Sequence, residues 1–135
     1  KVTELVFTTG KLYYQVMDKR ETLNADHVAV VSLEQIFPFP QKEFEQILNK
    51  YNQAKVRIFT QDEPANMGVY KSICRYLGDK EFELIARPES SSPAPGLMEQ
   101  HIRQEEKILD KIFRKCDCEW NHTVCDMHCV NYQKN

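Results

Sequence analysis

The feature that most constrains this chain is the run at residues 27–33, His-Val-Ala-Val-Val-Ser-Leu. It has the length of a strand, is rich in β-branched residues, and lacks the alternation of a strand with one wet face. A run of this kind calls for a sheet covered on both sides, as in parallel sheets whose connections are helices. Three more β-rich runs occur, at 4–8, 56–60 and 82–86, and helical patterns separate all four. Leu12, Val16 and Leu23 mark a helix over 11–23. Pro40 suits a first helical position ahead of the stripe Phe44, Ile47, Leu48 and Tyr51. Asn66 is a candidate N-cap for a helix over 67–77, with Gly78 just past its end. Residues 87–96 hold three prolines and three serines and read as an extended loop. A long last helix over 97–114 follows, with the stripe Met98, His101, Ile102, Ile108, Leu109, Ile112 and Phe113. Strands alternating with helices define an α/β fold, a three-layer sandwich around a mostly parallel sheet.

Composition narrows the function classes. A chain of 135 residues has room for one domain of ordinary size. Its 18 basic and 20 acidic residues are spread along the chain, which removes the electrostatic case for nucleic acid or an anionic membrane surface. No apolar run approaches the ~18 residues of a membrane span. The chain opens on Lys1 with no signal-peptide pattern behind it, so it reads as a piece of a longer polypeptide. The four glycines, Gly10, Gly68, Gly78 and Gly96, are too dispersed for a Walker loop or a dinucleotide fingerprint. Cysteine usage divides the chain near Lys115. Residues 1–115 hold only Cys74, as in a reducing compartment, whereas 116–135 hold Cys116, Cys118, Cys125 and Cys129. The reading is an α/β body at 1–115 and a Cys/His-rich extension at 116–135.

Ligands of open α/β sheets meet the loops at the carboxyl ends of strands. Those loops begin here at Thr9, Ser32, Gln61 and Arg87, and they carry recognisable motifs. Ser32-Leu33-Glu34-Gln35-Ile36-Phe37-Pro38-Phe39-Pro40 resembles the LEQLYPFP segment of 2-oxoglutarate dehydrogenase, the thiamin-dependent decarboxylating component of its complex. Gln61-Asp62-Glu63-Pro64-Ala65-Asn66-Met67-Gly68 is similar to the QEEPxNMG segment of that family. The loop from Arg87 to Gly96 is similar to its GRPxSxSPATG loop, and Thr9-Gly10-Lys11-Leu12-Tyr13-Tyr14 matches SGKxYY. His101 falls where the family has a histidine. Asp62 stands for a usual Glu, Tyr70 for a usual Trp, and Ala86 for a usual Gly. The order and spacing are those of the family across residues 4–113. The extension from Cys116 has no counterpart there.

The resemblance implies a transketolase-type carboxyl-terminal domain, with one antiparallel strand added to the parallel sheet. It implies a complete enzyme that decarboxylates 2-oxoglutarate oxidatively and passes the succinyl group to a lipoyl arm. Thiamin diphosphate and Mg²⁺ would be held by a Gly-Asp-Gly motif outside this chain, so the fragment alone would be non-catalytic and would support a homodimer. Further partners would be the other domains of the same chain, the lipoyl succinyltransferase and dihydrolipoyl dehydrogenase. The location would be the mitochondrial matrix in a eukaryote and the cytoplasm in a bacterium. The alternatives are a stand-alone binding or regulatory module of the same fold, and the same domain of 2-oxoadipate dehydrogenase.

The loop residues themselves allow several roles. Asp62 and Glu63 are neighbours on an extended segment, so they point apart and do not share a substrate. One of them is expected to accept hydrogen bonds from loop amides or a basic partner, while Pro64 fixes the turn. Lys11 and Arg87 suit an anion, such as a regulatory nucleotide or a partner's carboxylate, or else an ordinary salt bridge to Glu63 or Glu34. Lys11, Glu63, Asn66 and Arg87 are therefore the interface or anion-binding candidates. His101, on the apolar stripe, is expected to be buried and hydrogen-bonded. Serines 90–92 lack a nucleophile elbow and read as turn residues. Cys116, Cys118, Cys125 and Cys129, with His122 and His128, offer zinc ligands in a spacing unlike the usual Cys-x₂-Cys knuckle. A surface extension or disulfides are the other readings of that segment. Asn121-His122-Thr123 matches a glycosylation acceptor, which has meaning only in a secreted chain.

Overall fold

Four strands and four helices alternate along the chain in the computed structural model, which describes residues 1–77, 82–91 and 96–113. They are β1 (Glu4–Thr8), α1 (Leu12–Thr22), β2 (Val28–Ser32), α2 (Gln41–Lys50), β3 (Val56–Pro64), α3 (Val69–Leu77), β4 (Glu83–Arg87) and α4 (Met98–Ile112). The sheet order is β2-β1-β3-β4, and every pairing is parallel. The antiparallel strand implied by the resemblance is not among the described residues.

Strand order reverses at β1. The chain steps to one side for β2 and to the other for β3 and β4. Parallel crossovers keep one hand, so the reversal of direction puts helices on both faces of the sheet. Side-chain alternation follows suit. Val6, Ile58 and Ile85 meet α1 and α4, where they form a core with Leu12, Val16, Ile108 and Ile112. Leu5, Phe7 and Phe59 turn the other way, to a core with Phe44 and Leu48 of α2 and Ile73 and Leu77 of α3. The two cores share only the sheet, and Leu5, Val6 and Phe7 of β1 are at most 1% exposed. Aromatic packing dominates the second core, with Phe7 and Phe44 at a ring-centre distance of 5.1 Å.

Three expectations need correction. The 27–33 run is parallel as expected but is an edge strand among the described residues: within β2 only Val28 is buried, and none of the described residues pairs with its outer side. β3 does not stop at residue 60. It continues to Pro64, with a register irregularity against β4 between Thr60 and Pro64. The stripe of α4 does not lie on one buried face either. Ile108, Ile112 and the adjoining Phe113 are buried, but Met98 is 72% and Ile102 50% exposed. The Gly78 helix stop, residues 92–95 of the proline-rich loop and the Cys/His-rich extension with its four cysteines lie outside the described residues.

Strands β1 and β3 are neighbours whose following helices leave to opposite faces. Their carboxyl ends thus flank the topological switch point, where open sheets of this type place ligands.

Candidate functional site

Arg87 ends β4 on the same side as Ile85, facing α4, and is 2% exposed. Its guanidinium donates to four acceptors. Nε donates to the Asp62 carbonyl at 2.8 Å and Nη2 to Asp62 Oδ1 at 2.7 Å. Nη1 donates to the His101 carbonyl at 3.1 Å and to Gln104 Oε1 at 3.3 Å. One planar fork therefore ties β4 to the extended end of β3 and to the first turns of α4. The salt bridge expected to Glu63 or Glu34 is instead made with Asp62, because Asp62 shares the face of Thr60 and Glu63 points away from it. That strand parity also keeps the adjacent carboxylates apart, as their spacing implied.

On the opposite face, Gln61 follows Phe59 and is fully buried. Its Nε2 donates to the carbonyls of Pro64 at 3.0 Å and Met67 at 2.7 Å, with a longer bond to that of Glu63. Its Oε1 accepts from the Tyr70 backbone N–H at 2.9 Å. One amide thus satisfies the turn after β3 and also a free N–H in the first turn of α3. This is the capping role that the sequence assigned to Asn66. Asn66 instead closes on Ser90: its Nδ2 donates to the Ser90 carbonyl at 2.8 Å and its Oδ1 accepts the Ser90 N–H at 3.0 Å. The turn is tight enough to need glycine at residue 68. Gly68 has φ +76°, and a Cβ there would stand 2.9 Å from that of Glu63.

Lys11, exposed at the start of α1, lines a cavity of about 440 Å³ above the carboxyl end of β1. Thr9, Gly10, Tyr13, Ser32, Glu34 and the first residue of α3, Val69, line it too. The four candidates therefore do not form one cluster. Arg87 faces α4, Glu63 lies near the end of β3 and Asn66 in the turn after it, and Lys11 stands over β1. His101 is half-buried rather than buried, with its Nε2 3.5 Å from Glu105 Oε2, and its carbonyl is the group that Arg87 uses. On α3, burial pushes the Tyr70 phenol above its ordinary value of 10.0, and the charge and hydrogen bond of Cys74 push it the same way.

Gln61 is the residue that the sequence reading passed over. Period-2 alternation from Phe59 puts it on the α3 side, and a polar residue there must satisfy itself within the protein. The charge of the carboxylates beside it is the stronger signal by residue type alone.

A family model described as 2-oxoglutarate dehydrogenase C-terminal matches residues 1–113. A 2-oxoglutarate dehydrogenase E1 component from Rickettsia felis is 36% identical in an alignment 116 positions long that covers 80% of this chain and 12% of that protein. One from Cupriavidus necator is 33% identical, across 85% of this chain and 13% of the relative. A multifunctional 2-oxoglutarate metabolism enzyme of Mycobacterium sp. (strain KMS) is 30% identical across 84% of this chain and 9% of its own length. The chain thus spans about an eighth or less of these relatives. Among solved structures, a split-gene transketolase described as an inactive β4 tetramer superposes with a TM-score of 0.54 at 10% identity, over 84% of this chain and 40% of that one. That likeness concerns the fold.

Proposed function

This chain belongs to the 2-oxoglutarate dehydrogenase C-terminal family, and from that premise we propose that it serves as the non-catalytic carboxyl-terminal domain of a 2-oxoglutarate-decarboxylating enzyme. The whole enzyme would decarboxylate 2-oxoglutarate oxidatively and transfer the succinyl group to a lipoyl arm. It would act as a homodimer beside a succinyltransferase and dihydrolipoyl dehydrogenase, in the mitochondrial matrix of a eukaryote or the cytoplasm of a bacterium.

The observation that carries this reading is that the motif loops are occupied with one another. The Arg87 side chain has all its described bonds to Asp62, His101 and Gln104, and the Gln61 side chain has its bonds to the turn that follows it and to Tyr70. Residues engaged this way hold a surface in shape, and four of the five N–H donors of the Arg87 guanidinium are taken by that work. The Gly-Asp-Gly motif that the family resemblance associates with thiamin diphosphate does not occur in this sequence. Among the described residues no group of three or more His, Cys, Asp or Glu is placed to hold a metal ion. The family resemblance implies that the cofactor would be held by other parts of the enzyme.

The test is calorimetric titration of the 135-residue chain with thiamin diphosphate and Mg²⁺, together with turnover of the parent polypeptide. The reading expects no micromolar binding by the chain and decarboxylation of 2-oxoglutarate by the parent. Micromolar binding, or a parent inert toward 2-oxoglutarate, overturns it.

A further inference from the structure

We propose that the apolar start of α4 is the docking surface for this chain's own carboxyl-terminal extension, with Trp120, Val124 and Met127 seated on Leu97, Met98 and Ile102. Leu97 and Met98 are 70% and 72% exposed and Ile102 is 50% exposed. Met98 and Ile102 are one turn apart and share a helix face. Glu99, Arg103 and Glu106, all exposed, stand around them, so an apolar centre carries a charged rim. Arg87 donates to the His101 carbonyl and to Gln104, which fixes the first turns of α4 against the sheet. A surface fixed before its occupant arrives loses little conformational freedom on docking.

The occupant follows from pattern and reach. The match to the family model ends at residue 113, and the extension follows directly. Within it Trp120, Val124 and Met127 recur at i, i+4 and i+7, the spacing that sets three apolar side chains on one face of a helix. Glu119, His122 and Asp126 fall on other faces of the same pattern. The extension thus offers an apolar stripe, and the start of α4 offers an apolar patch.

Reach joins the two. Helix α4 ends at Ile112, with Phe113 as its C-cap. Ile102 lies eleven residues back along the helix from Phe113, about 17 Å at the helical rise. Trp120 lies seven residues onward, a stretch that spans up to about 23 Å when extended. After one reversal of the chain Trp120 therefore reaches Ile102, and the residues beyond it reach Met98 and Leu97. A segment tethered this closely meets the patch at an effective concentration on the order of millimolar, which favours it over a free partner.

Trp120 is the single tryptophan of the chain, so its fluorescence reads the docking in the 135-residue chain itself, under reducing conditions. Docking predicts emission at shorter wavelength than in urea and several-fold weaker quenching by acrylamide. Met98→Glu together with Ile102→Glu should move both to the urea values. Both positions are exposed, so far-ultraviolet circular dichroism should show the body folded as before. Hydrogen exchange over residues 97–105 approaches the contact from the other side. It should be at least ~10-fold faster in a Trp120→Glu, Val124→Glu variant, whose substitutions lie outside both cores. Native Trp120 emission equal to that in urea overturns the proposal, and so does exchange at 97–105 that the extension variant leaves unchanged. A shifted emission that the α4 substitutions do not move overturns it too, since Trp120 is then covered elsewhere. So does a shift that grows with protein concentration, because the extension then docks on a second copy.

Discussion

Replacing Arg87 tests the central structural claim, that one buried guanidinium joins β3, β4 and α4. In Arg87→Ala the Asp62 carbonyl and the Gln104 Oε1 lose this donor, while the His101 carbonyl keeps the N–H that its own helix supplies. A buried polar group left unpaired costs about 1–3 kcal/mol. The Asp62 carboxylate adds little, because its side chain is 54% exposed and rehydrates once released. Water entering the vacated volume recovers part of the loss, so about 3 kcal/mol is expected. Arg87→Lys keeps the charge but offers a point donor in place of a fork, for about 1.5 kcal/mol. Asp62→Asn keeps the backbone acceptor and should cost less than about 1 kcal/mol. Urea unfolding followed by far-ultraviolet circular dichroism measures all three, with a constant m-value as the check on two-state behaviour. For a chain of this size Arg87→Ala should lower Tm by roughly 10 °C. A cost below about 1 kcal/mol for Arg87→Ala would refute the reasoning. An Asp62→Asn variant as damaged as Arg87→Ala would refute it too, by making the ion pair and not the buried carbonyl bonds the source of the stability.

Three further outcomes are expected from the same unfolding assay. Gln61→Met removes the donor to two or three carbonyls and the acceptor for the Tyr70 N–H, and should cost about 2–3 kcal/mol; Gln61→Glu should cost more at neutral pH, because an ionised carboxylate cannot donate to those carbonyls. Gly68→Ala combines a left-handed φ with a 2.9 Å approach to the Glu63 Cβ, so a loss of about 2 kcal/mol or more is expected, with no relief from shortening Glu63 to Ala. The Tyr70 phenol is raised in the folded chain, so its contribution is fully present below pH 10.0, the ordinary value of the unfolded chain, and is lost as pH rises through the folded value. Stability should therefore fall in alkali, and Tyr70→Phe should flatten that fall; an unchanged alkaline profile in the variant would place the titration elsewhere.

Apolar patterning disclosed the layers because it is a local signal. The β-rich runs and the helical stripes between them required a covered parallel sheet, and the two closed cores are that arrangement. Position within the sheet is not local. The most continuous apolar run, at 27–33, sits at an edge, whereas the less conspicuous β1 occupies the centre and is buried throughout Leu5, Val6 and Phe7. Which strand becomes central depends on the directions of the crossovers, and no single run encodes those. The exposed start of α4 has a different cause. Its apolar residues fall on two stripes: Ile108 and Ile112 share the buried face with Gln104, while Met98 and Ile102 stand on a face that turns away from it, with Glu105 and Glu106 one turn beyond Ile102.

The loop residues were harder to read because residue type and strand parity gave competing signals. Type favoured Asp62, Glu63 and Asn66, which are charged or good caps. Parity governs what each side chain can reach. The sheet-bound continuation of β3 past Thr60 sends Gln61 toward α3 and Asp62 toward Arg87. Once the strand is known to run to Pro64, both partnerships follow from alternation alone. Ending the strand at residue 60 hid them, since a loop has no parity. The same extension explains why Asn66 cannot cap α3: the helix starts at Val69, and the free N–H at Tyr70 is already taken by the Gln61 amide. Asn66 is left to join the turn to the loop after β4 through Ser90. The motif at 61–68 therefore acts as a brace between β3, α3 and the β4 loop, in which the neutral amide of Gln61 holds the α3 side and Asp62 holds Arg87 on the other.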